Sequence, residues 1–385
     1  MLIRQLKLQL PKGKSAFLWG PRQSGKTTFL KKLFPKAVFF DFLLTDLYIE
    51  MVKTPSLLRE RLLSIESSPQ AKFPVILDEV QKVPQLMDEV HWLIENTNFH
   101  FILSGSSARK LKRGNANMLG GRAWQFHLFP LTFREIKSFD LLRALNHGLL
   151  PTHYLEEEYH RSLKSYINNY LKEEIKEEGL TRNLPAFARF LDALAFTHGE
   201  LVNYSNLSRD CGVDAKTVKE FFQIMEDTLL GTLIYPWSKR TRKDSISSMP
   251  KFYLFDVGIA GKLTNRCITQ EKGIEFGRAF EHYLLMELLA HRSYTGLDYK
   301  IQFWRSKNGQ EIDFILGDGQ IALEIKGSSR VDKKELHALN VYMEECPSRK
   351  AIVICNESQP RKIGKLLLLP WKEFLEQLWD GKIIG

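Results

Sequence analysis

The chain has 385 residues, 44% hydrophobic and 26% charged, a balance that excludes a disordered or fibrous protein and suits two or three folded domains. Its longest uncharged apolar run, Leu366 to Trp371, is far short of the roughly 20 residues of a membrane-crossing helix. The net charge of +10 attracts polyanions without identifying one. The opening MLIRQLKLQLPKGK mixes charge with leucine, unlike a secretion signal, and Cys211, Cys267, Cys346 and Cys355 share no metal-ligand spacing, so a cytoplasmic protein without membrane attachment is expected.

From Ser15 to about Pro130 the runs SAFLW, AVFFDF, PVILDE, HFILSG and AWQFHLF alternate with helical stretches. Continuous apolar strands between helices predict a parallel sheet covered on both faces. Between about Leu131 and Thr197 the strand signal disappears. Tyr159, Leu163, Tyr166, Tyr170 and Leu171 mark one helix face, and Phe187, Phe190, Leu191 and Leu194 mark another. KEEIKEEG reads as the solvated end of the first helix, with Gly179 as its stop.

The stretch YSNLSRDCGVDAKTVKEFFQIMEDTLL reads helix, turn, helix, with Gly212 in the turn, Asp214 as cap, and Val218, Phe221 and Phe222 facing inward. A hairpin-like segment follows, tipped by Lys239, Arg240, Arg242 and Lys243, which completes the outline of a winged helix-turn-helix. The remainder reads as a long helix over 274–291, strands near 300–305, 311–316 and 320–326, a helix over 332–343 and the strand AIVIC.

Two constellations carry chemistry. The first is GPRQSGKT, running Gly20, Pro21, Arg22, Gln23, Ser24, Gly25, Lys26, Thr27, with Thr28 behind it, between the strand SAFLW and the helix TTFLKKLF. Glycines let backbone amides turn toward phosphate oxygens, and the helix that follows offers them its positive end. Lys26 would reach the β- and γ-phosphates and the Thr27 hydroxyl would join a Mg²⁺ shell. About fifty residues later PVILDEVQ ends an apolar strand on Asp78 and Glu79. There Asp78 would hold the metal through water and Glu79 would polarise the attacking water. The next strand ends at Ser104, with Ser106 and Ser107 beyond, where a hydroxyl can sense the γ-phosphate or form an ordinary turn. Arg122 of LGGRAW can supply positive charge, in cis or from a neighbouring copy, in competition with Arg109, Lys112 and Arg113.

The second constellation lies in WRSKNGQEIDFILGDGQIALEIKG. Asp313 sits on one strand and, after a GDG turn, Glu324 and Lys326 alternate onto one face of its partner. Carboxylates brought that close need a cation, and oxygen ligands suit Mg²⁺ or Mn²⁺. Glu281, on the preceding helix, can add another carboxylate, and Lys326 can position a water. Cross-strand ion pairing would leave the same residues without any chemistry.

In their order, GPRQSGKTT, VILDEVQ, FILSGSS, the GR of LGGRAW, LFPLTFREI, KFYLFDVGIA, FGRAFE and GQEIDFIL…LEIKG resemble the bacterial and archaeal AAA-type P-loop ATPases that carry a C-terminal restriction-endonuclease-like domain. The resemblance implies an α/β chain: an AAA-type P-loop domain with a parallel sheet over 1–135, a helical lid over 136–200, a winged helix-turn-helix over 201–270 and a nuclease-like α/β domain over 271–385. It assigns ATPase roles to Gly20, Gly25, Lys26, Thr27, Asp78, Glu79 and Ser104, and nuclease-like roles to Glu281, Asp313, Glu324 and Lys326. Ile312 stands where the nuclease motif has its proline. The expected activity is ATP hydrolysis with Mg²⁺, coupled to DNA, with Mn²⁺ as a second candidate at the C-terminal site. The alternative is an ATP-driven switch whose inactive nuclease-like domain binds a protein partner, alone or as a homo-oligomer.

Overall fold

A computed structural model describes residues 2–11, 13–107, 109, 111, 119–171, 183–238, 249–346 and 348–385. Its chain forms two compact units, residues 1–131 with 224–230, and residues 132–223 with 231–385.

The first unit is built on strands β1 (Ser15–Trp19), β2 (Val38–Asp41), β3 (Val75–Asp78), β4 (Phe101–Gly105) and β5 (Ala123–His127). They pair in the order β2-β3-β4-β1-β5, and every pairing is parallel. Helices follow β1 (Lys26–Leu33), β2 (Thr45–Lys53, then Leu57–Ser64) and β3 (Leu86–Asn96). The central strands are apolar on both faces because helices cover both. Phe17, Leu77, Phe101 and Leu103 are wholly buried in a core shared with Leu58, Leu62, Met87 and Leu93 from those helices. β1 lies between β4 and β5, so its carboxyl end at Trp19 opens beside the ends of β3 and β4, where crossovers leave a crevice.

The second unit begins with short helices (Leu141–His147, Pro151–Leu155, Tyr159–Ser165). Leu163 and Tyr166 are buried as their spacing predicts. The run KEEIKEEG and Gly179 lie outside the described residues, as do the basic tip 239–243 and the competing cations Lys112 and Arg113. The helix Leu184–Thr197 buries Phe187, Phe190, Leu191 and Leu194. Phe190 meets Phe221 and Phe222 of the helix Ala215–Asp227 edge-on or tilted. That helix follows Tyr204–Cys211 through Gly212, whose φ of 66° suits glycine, and Asp214 caps it by accepting from the amides of Lys216 and Thr217. β6 (Gly231–Ile234) and β7 (Lys251–Leu254) then form an antiparallel pair.

Asp256 gives the segment KFYLFDVGIA its logic. Its carboxylate caps the helix Val257–Leu263 through the amides of Gly258 and Ile259, and also accepts from the amides of Leu149 and Leu150. One buried side chain thus staples two helical segments together. The long helix Ile274–Thr295 leads into a six-stranded mixed sheet ordered β12-β13-β11-β10-β9-β8. Its strands are β8 (Ile301–Arg305), β9 (Glu311–Leu316), β10 (Ile321–Lys326), β11 (Lys350–Cys355), β12 (Arg361–Ile363) and β13 (Leu366–Pro370), before the closing helix Trp371–Trp379. The 332–343 helix divides into a 3-10 turn, Lys333–Leu336, held by an Asp332–Glu335 capping box, and the α-helix His337–Glu345. Ile312 is wholly buried in this sheet's core, which accounts for an aliphatic side chain there.

Candidate nucleotide site and carboxylate cluster

The phosphate-loop residues form one turn between β1 and its helix. Gly25 is left-handed (φ 90°) and no side chain caps the helix, so its first amides are open to an anion. A Cβ on Gly20 would lie 2.5 Å from the Leu128 carbonyl oxygen, so only glycine fits where β1 enters the loop. Gln23 also has positive φ (62°), Pro21 and Ser24 are buried, and Thr28 is exposed. The Ser24 hydroxyl is buried without a hydrogen-bond partner. Lys26, 5% exposed, turns its ammonium back onto the carbonyls of Gly20 (2.8 Å) and Pro21 (3.3 Å), the arrangement of a cation waiting on its own loop.

Register brings the acidic end of β3 to this loop. Asp78 pairs with Ser104 across β3 and β4, and both Ser104 and Thr27 donate their hydroxyls to the Asp78 carboxylate. Three predicted residues from three segments thus meet at one buried carboxylate. Glu79, next along, is left-handed (φ 58°) and accepts from Gln81 Nε2 at 2.6 Å; Gln81 also donates to the Ser106 hydroxyl at 3.1 Å. Gln81 lies inside VILDEVQ, where no spacing marks it out. Nor does the sequence mark out Arg4, whose guanidinium donates to the Ser24 carbonyl at 3.1 Å and to that of Phe129. Arg122 is not brought to this group; it pairs with Glu95 at the surface, and Arg109 pairs with Asp227. Ser107 accepts from the Arg109 amide, an ordinary turn contact.

The second constellation is also assembled, with additions. β9 and β10 pair as far as Phe314 and Leu323, and just beyond that pairing Asp313 accepts the Ile325 amide at 2.7 Å. Glu324 and Lys326 share a face and pair at 2.7 Å. Glu281 accepts the Tyr253 hydroxyl and lies 3.7 Å from the ammonium of Lys251, which also pairs with Glu311. Lys251, Tyr253 and Glu311 were not singled out in the sequence, since β7 lies well before the motif and its lysine reads as surface charge. Lys251 is only 5% exposed.

Burial and neighbouring charge together set the protonation of these groups. Burial, and then Glu324 and Glu281, raise Asp313 well above the carboxylate range, and burial also raises Glu324 against the pull of Lys326. Burial alone would lower Lys251, but Glu281, Glu311 and Asp313 outweigh it and hold the ammonium charged. Among the described residues no group of three His, Cys, Asp or Glu side chains is arranged to hold a metal ion. At this cluster the residues present do not fit a divalent ion, because ammonium groups already sit against three of the carboxylates, Lys251 against Glu281 and Glu311 and Lys326 against Glu324.

Residues 12–137 match a family model described as an AAA domain; residues 138–267 and 276–374 each match a domain of unknown function. An uncharacterized protein of Mycobacterium tuberculosis is 25% identical over 337 residues, covering 84% of this chain and 73% of the relative. Another from Methanocaldococcus jannaschii is 23% identical over 342 residues, covering 81% and 74%. Among solved structures, the Aeropyrum pernix ORC1 protein in complex with DNA aligns at 10% identity and a TM-score of 0.32, covering 67% of this chain and 87% of that one. The family match over the first unit, with its parallel sheet and phosphate loop, supports an AAA-type P-loop fold there. No helix among the described residues is long and apolar enough to cross a membrane.

Proposed function

We propose that this protein is a Mg²⁺-dependent ATPase whose nucleotide state is passed to a DNA-contacting helix-turn-helix and to the C-terminal sheet. The observation that carries the reading is the meeting of Thr27, Asp78 and Ser104 beside the turned-in ammonium of Lys26. The oxygen donors of Thr27 and Asp78 suit Mg²⁺, and the unpartnered Ser24 hydroxyl suits a phosphate-bearing ligand. Bound Mg²⁺ would neutralise charge on the β- and γ-phosphates. Lys26 would exchange the Gly20 and Pro21 carbonyls for phosphate oxygens, joined by the uncapped amides at the start of its helix. Glu79 would orient and polarise the attacking water, held in place by Gln81. Ser104 would register the terminal phosphate, and Arg122, free of the site in its own chain, would serve a neighbouring copy. Lys26→Ala should abolish turnover, and Glu79→Gln should keep ATP binding while stopping hydrolysis. Unchanged turnover in both variants would remove the reading.

Exposed Lys216 and Lys219 at the start of the second helix, together with the net charge of +10, support contact with DNA phosphates rather than base reading. DNA affinity should then fall steeply with salt; a flat response would count against it. The second reading is a switch with an inactive nuclease-like domain that binds a protein partner, and it is favoured by Lys251 among the carboxylates. Plasmid incubation with Mg²⁺ or Mn²⁺ separates the two. Cleavage lost in Lys326→Ala supports the nuclease, and no cleavage with either metal supports the switch.

A further inference from the structure

We infer that Lys251 is the resident cation of the C-terminal carboxylate cluster and stands in the place of a divalent metal. Four carboxylates gather there from two strands and a helix, and each already has a donor. Glu281 takes the Tyr253 hydroxyl and Lys251, Glu311 takes Lys251 and Arg305, Asp313 takes the Ile325 amide, and Glu324 takes Lys326. Access does not explain the choice of cation. Lys251, Glu281 and Glu311 line a cavity of about 690 Å³ whose walls also carry Arg266 and Arg278.

Lys251 is fixed from its backbone outward. Its strand pairs with β6 at Ile234 on one side and bridges to Leu201 on the other, and its ammonium lies 5.6 Å from the centre of the Phe303 ring. A tethered ammonium needs no capture from solution, and its strand is locked before any ion arrives. A divalent ion would have to dislodge it and lose water, which Mg²⁺ gives up reluctantly. Glu281 and Glu311 would otherwise repel each other across the cavity wall; the ammonium offsets both charges. The inference bears on the second reading above, but the measurement below reads ion binding, so its failure leaves the ATPase reading standing.

The test is Mn²⁺ titration of nucleotide-free, full-length protein, following the free-ion signal by electron paramagnetic resonance. Wild type and Asp313→Asn should bind the same amount of Mn²⁺, since the cluster takes none. Lys251→Gln should gain one Mn²⁺ per chain, and Lys251→Gln/Asp313→Asn should lose it again. Lys251→Arg, which keeps the charge, should match wild type. Mn²⁺ bound by wild type and lost in Asp313→Asn overturns the inference, whatever the lysine variants do. So does a folded Lys251→Gln that gains no ion. If Lys251→Gln does not fold, the comparison of wild type with Asp313→Asn decides alone.

Discussion

Glu287 lies in the long helix, 1% exposed, and its carboxylate accepts the Phe133 amide at 2.6 Å and the Trp379 indole N–H at 2.9 Å. Burial pushes it up from an ordinary 4.5 to about 7, and the two donors only partly offset this. At about 1.36 kcal/mol per pH unit that displacement amounts to roughly 3 kcal/mol. The sign follows from a raised folded value: the stabilisation is complete below 4.5 and is lost as pH rises through about 7. Most of it disappears between about pH 5 and about pH 8. Burial holds His282 and His291 near 3 and near 4, and they titrate in the opposite sense, so the wild-type curve alone does not isolate Glu287. Glu287→Gln does, because subtracting its curve cancels every shared group. The amide loses one accepted bond, a cost of about 1 kcal/mol. The variant should therefore be about as stable as wild type near pH 5 and more stable near pH 8. Urea unfolding followed by tryptophan emission at both pH values measures this. A wild-type-minus-variant difference that stays flat across the range would refute the reasoning.

Three further outcomes are expected. Gln81→Leu removes the donor that holds Glu79, so kcat should fall by about tenfold with the Kd for ATP unchanged, and single-turnover assays beside equilibrium binding check both halves. Asp256→Ala leaves four backbone amides of two helical segments without an acceptor and should cost about 3–5 kcal/mol, read as a lower urea midpoint. Arg122→Ala breaks an exposed pair with Glu95 and should change stability by less than about 1 kcal/mol; a concentration-dependent loss of ATPase rate in the same variant would place the guanidinium at a neighbour's site.

The N-terminal site was largely legible because its parts are written contiguously. Gly20 to Thr27 carry their own geometry, and strand pairing alone sets Asp78 beside Ser104 once PVILDE and HFILSG are recognised as neighbours. Gln81 and Arg4 were illegible for a different reason: each acts through a side chain whose target depends on tertiary placement, with no spacing rule to expose it. Lys251 shows the limit most clearly, since its carboxylate partners come from 30 to 60 residues downstream, Glu281 and Glu311 among them. At the end of the chain, LLLLPW has no alternation to distinguish a strand from a helix. It becomes β13, parallel to β11 and covered on its other edge by the short β12. Asp332 was read as a helix start and does cap, but it caps a 3-10 turn, a distinction that rests on the spacing of backbone bonds rather than on residue type.

Glu79 sits in a backbone conformation that side chains with a Cβ occupy at a cost of roughly 1–2 kcal/mol. Replacing it by glycine would relax that bend while deleting the carboxylate, so the variant should outlast the wild type on heating. On the role proposed for Glu79, heat resistance and turnover are set against each other at this residue, and a screen that selected for ruggedness alone would tend to discard its carboxylate.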